Sequence, residues 1–398
     1  MTQLTPGPNG GVPEAVAIGD LHDTTAGSIE RNTALCSGLW VALPGCRNDV
    51  AVLGGLGYGT VFLKDAKDNG LTGMGPFDIA SVPELPTSVG IGDFNGDGIN
   101  DLAVSGADAT NDAIYIYDGT GAGNFASGYS QFIPIDVPAA DGPGGAVVSS
   151  LAVGDFGNGH ADIAVTVGGS PDGQLVVLMN DGHGNFTQTV YPAPDAATQV
   201  VVGDLGNGRP DLAVANAGDP LNASVELYMN KGRGVFTPQT PIALPWPLLP
   251  YSIAIGDFTP NGLPDLVTAN IGDPAHDGAN SVTVFENNGR DGYTLQTIPD
   301  AHQSNGNDQP GQIATGDFNG NGLDDFVITN GGANSITVFM TDYSHDGPSW
   351  TQTTLATDPA PYDVAVGHVN SPDGAQDIVV GDEYGQADLF TNTTRQLG

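Results

Sequence analysis

Positive charge is nearly absent from this chain: nine Lys and Arg stand against 46 Asp and Glu, a formal net charge of -37. A surface of that sign repels phosphate backbones and anionic membranes, so nucleic acid is excluded as a partner. Glutamate is scarce as well, with six residues in the whole sequence, so almost all the acid is aspartate. Aspartate is a turn and oxygen-ligand residue that helices disfavour. No apolar run approaches the roughly 20 residues of a membrane helix, and no membrane insertion is expected. The opening MTQLTPGPNGG has neither the basic start nor the apolar segment of a signal peptide. Also missing are a G-x-S-x-G elbow, an H-E-x-x-H pair and a phosphate loop. Cysteine is limited to Cys36 and Cys46, ten apart in ALCSGLWVALPGCRND. A disulfide between them would close a short loop and place the protein outside the cell, secreted or at the cell surface; two free thiols in a reducing cytosol are the alternative.

What the chain has is glycine and proline, 59 and 29 residues, a composition for many short strands joined by tight turns. It also has an internal repeat. AIGDLHD, GIGDFNGDGINDLAV, AVGDFGNGHADIAV, VVGDLGNGRPDLAV, AIGDFTPNGLPDLV, ATGDFNGNGLDDFV and AVGHVNSPDGAQDIVV follow one another along the sequence. The first acidic position falls at Asp20, Asp93, Asp155, Asp204, Asp257 and Asp317, with His368 in the last copy. One unit is about 50 residues and reads as four strands, which fits a propeller blade. The expected fold is therefore all-β: a seven-bladed propeller of four-stranded antiparallel blades forming a single domain. The blades fall at about 13–85, 86–145, 146–196, 197–248, 249–308, 309–359 and 360–398. The last unit is short of an outer strand, and residues 1–10 are expected to supply it, closing the ring and covering an edge that would otherwise stay unpaired.

The acidic turn explains the aspartate. Asp93, Asn95, Asp97, the carbonyl of Ile99 and Asp101 place oxygens at alternate positions of a tight loop, with Gly98 permitting the turn. Six to eight oxygen ligands are what calcium requires, whereas magnesium resists losing its waters and zinc prefers nitrogen and sulfur. Asp317, Asn319, Asn321, Leu323 and Asp325 keep every oxygen with one charge fewer. Asp257, Thr259, Asn261, Leu263 and Asp265 form a weaker copy. Asp155, Asn158 and Asp162, like Asp204, Asn207 and Asp211, belong to loops one residue shorter that lack the third-position ligand. About three to five calcium ions are expected, with the first and last copies metal-free.

The acidic run, followed some way on by NDGHGNF, NKGRGVF or NNGRDGY, resembles the FG-GAP or VCBS repeats of integrin-alpha-type propellers and many secreted microbial proteins. The resemblance covers essentially the whole chain. It implies a seven-bladed propeller with calcium between the first and second strands of its blades. It leaves function open, since such rings serve adhesion, lectin and polysaccharide-processing proteins.

The loops opposite the acidic turns are the longer and more irregular ones, where recognition usually lives on a rigid ring. Trp246, Tyr251, Asn216, Asn270 and Asn330 are the candidates for stacking on and hydrogen-bonding a sugar, against a plainer reading in which the asparagines take turns and the aromatics pack on prolines. His276 and His302 are the candidates for an acid and base. Two functions follow: a secreted calcium-binding module, lectin- or adhesion-like, monomeric, with a glycan or extracellular protein as partner; or a polysaccharide-degrading lyase or hydrolase on the same ring.

Overall fold

Segments such as DLAVAN and SVELYMN carry β-branched and apolar residues without helical periodicity, and the glycine-rich turns between them reverse the chain. The computed structural model describes residues 2–4, 13–19, 49–54, 58–64, 71–73, 85–107, 112–120, 125, 128–135, 147–168, 173–193, 196–218, 221–272, 280–289, 292–299, 310–344, 347–369, 375–382 and 387–392. Cys36, Cys46, Asp20, His276 and His302 lie outside them.

Strand β1 is Thr2–Leu4. The next set is β2 (Pro13–Gly19), β3 (Asp49–Gly54), β4 (Tyr58–Lys64) and β5 (Leu71–Gly73), followed by β6 (Leu85–Gly92), β7 (Asp101–Ala107), β8 (Asp112–Tyr117) and β9 (Gln131–Pro134). Then come β10 (Val147–Gly154), β11 (Asp162–Gly168), β12 (Gln174–Asn180) and β13 (Phe186–Pro192). A five-stranded set holds β14 (Ala197–Asp204), β15 (Pro210–Asn216), β16 (Ser224–Asn230), β17 (Phe236–Pro238) and β18 (Ile242–Ala243). It is followed by β19 (Leu248–Gly256), β20 (Asp265–Gly272), β21 (Ser281–Asn287) and β22 (Tyr293–Pro299), then β23 (Pro310–Gly316), β24 (Asp325–Asn330), β25 (Ser335–Ser344) and β26 (Gly347–Ala356). The chain finishes with β27 (Pro361–Gly367), β28 (Asp377–Asp382) and β29 (Ala387–Phe390).

Each set is an antiparallel sheet paired in sequence order, the arrangement of a propeller blade. Six blades, from β6 onward, are described with their side chains, where the sequence leads one to expect seven; β2 to β5 pair in the same order and are described by backbone alone. The first strands of successive sheets lie side by side around the centre, and β27 returns to β2. The expected N-terminal strand is present but short: Thr2, Gln3 and Leu4 pair with Leu389, Asp388 and Ala387 on the outer edge of the last sheet.

Second strands are buried on both faces because neighbouring blades cover them. On β11, Ile163 and Val165 face β7 and β8 residues such as Ala103 and Ile114, whereas Ala164 packs with Leu212 and Tyr228 of the following blade. A phenylalanine follows the first acidic residue in four copies and wedges into these seams, with Phe94, Phe156 and Phe258 essentially inaccessible. Innermost strands approach closely: a Cβ on Gly203 would lie 2.7 Å from Ile255 Cδ1, which would have to move aside.

Candidate functional site

Among the described residues the acidic turns end in the same latch. The last aspartate of each copy opens the second strand, and in six blades it is fully buried: Asp101, Asp162, Asp211, Asp265, Asp325 and Asp377. One carboxylate oxygen accepts the N–H of the residue that follows the first position: Phe94, Phe156, Leu205, Phe258, Phe318 or Val369. The other accepts an N–H at the end of the third strand, from Gly119, Asn180, Asn230, Asn287, Thr341 or Asn392, at 2.6 to 2.9 Å. The latch ties the loop between first and second strands to the end of the third.

The asparagines at that third-strand position then staple blade to blade. Asn180 Nδ2 donates to the Phe94 carbonyl, Asn230 to Phe156, Asn287 to Leu205 and Asn392 to Phe318, each carbonyl belonging to the preceding blade. Thr341 has no amide to offer, and a different contact serves its seam. There the N–H of Asp257 donates to Asp324 Oδ2 at 2.8 Å and the N–H of Asp324 donates to the Asp257 carbonyl at 2.7 Å.

Burial raises five of these carboxyls. Desolvation pushes Asp101 and Asp325 up to about 7, and Asp162 and Asp265 to about 6, against the lowering effect of their N–H partners. Asp211 is raised for the same reason. Asp324 reaches about 6, through desolvation first and then the charges of Asp257 and Asp317.

The loops above the latches divide by length. In the long copy, Asp93 accepts Gly96 N–H at 2.7 Å and Gly98 N–H at 2.9 Å, and Asp97 Oδ1 accepts Ile99 N–H at 2.8 Å. Gly98 takes φ +85°, which a side chain rarely adopts. The Asp317 copy repeats this, with Gly320 and Gly322 donating to Asp317 and Leu323 to Asn321. In the intermediate copy, Thr259 Oγ1 donates to Asp265 and Leu263 N–H to Asn261, while Asp257 Oδ1 is buried with no hydrogen-bond partner. That orphaned oxygen is an acceptor stripped of water, which suits a cation. The short loops are satisfied from within. Asp155 Oδ1 takes three N–H groups, as does Asp204 Oδ1. Asn158 and Asn207 each turn an amide donor onto the latch oxygen, Asp162 Oδ1 or Asp211 Oδ1, as Asn319 does toward Asp325 Oδ1 in the Asp317 loop. Among the described residues no three Asp, Glu, His or Cys side chains gather as a metal cluster, so a cation there draws on Asn and main-chain oxygens as well. His368 Nδ1 lies 3.2 Å from the Ala375 carbonyl.

The opposite rim carries a feature the sequence did not suggest: each first strand is bulged where it begins, between Pro86 and Ser88, Val148 and Ser150, Ala197 and Gln199, Pro250 and Ser252, Pro310 and Ile313, and Pro361 and Asp363. Bulges re-aim side chains. Here they bring Tyr251 Oη within 3.3 Å of Tyr362 Oη across the intervening blade. Below them Gln199 Nε2 donates to Gln312 Oε1 at 2.8 Å, and Ser252 Oγ donates to Gln199 Oε1 at 2.9 Å. Trp246 is half exposed, at 53%.

The three asparagines expected on this rim pair beside its bulges but face inward. Asn216, Asn270 and Asn330 are buried at the ends of second strands. Asn216 donates to Ser224, Asn270 to Thr283 and Asn330 to Thr337, so their amides bridge strands within a blade and have no surface to offer a sugar. None takes the left-handed backbone of a turn asparagine and each pairs in register with a serine of the third strand, though Asn216 Oδ1 also accepts the Gly218 N–H. Of the expected ligand residues only Trp246 and Tyr251 offer surface on the rim, joined by Tyr362. The signal for the latch and staple lay in the recurrent Asn at the ends of QLVVLMN, SVELYMN and SVTVFEN, which pattern reading assigns to a turn.

Residues 205–268 match the FG-GAP-like repeat family and residues 310–348 the FG-GAP repeat family. No curated protein matches the sequence. Among solved structures, the chain is similar to BBS1N, in a structure of its complex with ARL6DN soaked with lead, at a TM-score of 0.58 and 11% identity over 88% of this chain and 90% of that one. It is also similar to the Pseudomonas aeruginosa periplasmic gluconolactonase PpgL, at a TM-score of 0.58 and 15% identity over 82% and 87% of the two chains. At these identities the likeness is one of fold.

Proposed function

From the premise that this chain is a β-propeller built of FG-GAP repeats, we propose that it is a calcium-stabilised binding module acting outside the cell, which takes a neutral or cation-bridged glycan on its bulged rim. The ring in this reading has seven blades, monomeric and clasped by β1. Calcium occupies the loops of Asp93, Asp257 and Asp317 and not the two short loops. Support for the metal comes from the orphaned Asp257 oxygen and from buried latch carboxyls with no cation nearby. Within these loops Asp93, Asn95, Asp97 and the Ile99 carbonyl would hold the ion, which supplies charge neutralisation and rigidity.

The observation that carries the binding role is the tyrosine pair. Tyr251 and Tyr362 stand together at the mouth of the ring with their hydroxyls 3.3 Å apart, and Trp246 is exposed on the linker before β19. Aromatic faces with polar tips are suited to sugars, which present apolar C–H faces ringed by hydroxyls. The net charge of -37 disfavours acidic polysaccharides on this rim unless calcium bridges them. A glycan array probed in calcium and in chelator tests the proposal. Neutral glycans retained in calcium and weakened in chelator support it. Time-dependent release of reducing or unsaturated ends from a polysaccharide, abolished by changing His276 or His302, would replace it with an enzyme.

A further inference from the structure

Three basic residues of this acidic chain fall together. Of the nine Lys and Arg in the sequence, Arg209, Lys231 and Arg233 line one cleft of about 400 Å³. They are the Lys and Arg whose side chains the structure describes, and all three are exposed. The cleft lies on the rim of the acidic loops, between Gly157 of one blade and the loop and turn of the next, and Pro210, Asn230 and Gly232 complete its wall.

The repeat itself does not require these cations. The latch bond aligns the blades: two residues before the latch aspartate, where Arg209 stands, the others carry Ile99, His160, Leu263, Leu323 and Ala375. One residue beyond the third-strand N–H donor, where Lys231 stands, they carry Thr120, Asp181, Asn288 and Asp342. The glycines make room for the cluster. A Cβ on Gly232 would lie 3.9 Å from Arg209 Cζ, and one on Gly157 would lie 3.1 Å from Arg233 N. Arg233 adopts φ +56°, a conformation arginine rarely takes, between Gly232 and Gly234. Backbone in that region persists only where its surroundings hold it.

Among the described residues none of the three side chains pairs with a carboxylate. The nearest loop acids are engaged at home, Asp155 by Gly157, Asn158 and Gly159, and Asp204 by Gly206, Asn207 and Gly208. Three like charges converging without a counter-ion repel one another, and two guanidinium forks match the geometry of an oxyanion. The surrounding negative field admits a single anionic group and opposes a polyanion.

We infer that this cleft binds one oxyanion group, a carboxylate, sulfate or phosphate ester, carried on an otherwise neutral small molecule such as a sugar. The site is independent of the tyrosine rim. Calorimetry at low salt with inorganic sulfate, glucuronate, glucose 6-phosphate and glucose tests it on the full chain. The three anions are expected to bind with one site per chain, and the strongest of them identifies the source of the group, while glucose gives no heat that Arg209→Gln removes. Arg233→Gly suits the backbone already present and keeps the fold; it and Arg209→Gln should each weaken binding at least tenfold with unchanged melting temperature. Anion affinities equal in the wild type and both variants would overturn the inference. So would salt-sensitive self-association by sedimentation that Arg209→Gln abolishes, because the occupant would then be the acidic surface of a second copy.

Discussion

Replacing Asn230 by alanine tests the blade-to-blade staple without touching any charge or metal ligand. The side chain is 1% exposed and makes three hydrogen bonds: to the Phe156 carbonyl at 3.2 Å, to the Pro210 carbonyl at 2.8 Å, and from Gly232 N–H at 2.7 Å. A buried polar group left without its partner costs about 1–3 kcal/mol, and taking the lower figure for each gives about 3 kcal/mol for Asn230→Ala. Urea unfolding measures it directly: with a slope of about 3 kcal/mol/M for a chain this long, the midpoint falls by about 1 M. Asn288→Ala removes the same chemistry from the exposed side of the equivalent turn and should shift stability by less than about 0.5 kcal/mol. Asn230→Asp keeps the acceptor for Gly232 but turns a carboxylate onto two carbonyl oxygens, and should be at least as damaging as alanine. If Asn230→Ala and Asn288→Ala unfold at the same midpoint, the staple is not holding the seam.

Other outcomes follow from the same arrangement. Calcium should raise the melting temperature and chelator should lower it, with Asp97→Ala losing most of the gain from its loop and Asn158→Ala losing none, as a calcium titration followed by thermal melts would read. In chelator, stability should fall as pH rises from about 4 to about 7: Asp101 and Asp325 titrate at about 7 when folded and near 3.8 when unfolded, so the native state binds more protons over that range. Urea midpoints at pH 5, 6, 7 and 8 check the sign, and a midpoint that rises with pH contradicts it. Deleting residues 1–10 should lower the melting temperature more than removing any surface loop of equal length, because β29 loses its partner strand.

The repeat, the strands and the position of the acidic turns were legible because each rests on local chemistry: Asp and Gly at fixed offsets, and apolar runs such as DLAVAN that only a sheet covered on both faces accepts. The role of the last aspartate was only half legible. Its spacing marks it as an oxygen ligand, but its two backbone partners lie in the adjoining turn and at the far end of the third strand, a register that spacing does not encode. The burial of Asn216, Asn270 and Asn330 was illegible for a related reason. Asparagine at a strand end usually signals a turn, and here facing serine and threonine hydroxyls in the same sheet keep it inside. Tyr362 and the basic cleft were invisible because they depend on which blades meet. Tyr251 and Tyr362 are 111 residues apart in sequence and touch only through bulges in two first strands.

The most direct test of the binding role is titration of a neutral glycan selected on the array, in calcium, against the wild type, Tyr251→Ala, Tyr362→Ala and Asn216→Ala. The account predicts that each tyrosine variant binds at least tenfold more weakly at unchanged calcium affinity, while the buried Asn216 variant loses stability and keeps its glycan affinity. Wild-type affinity in both tyrosine variants would contradict it.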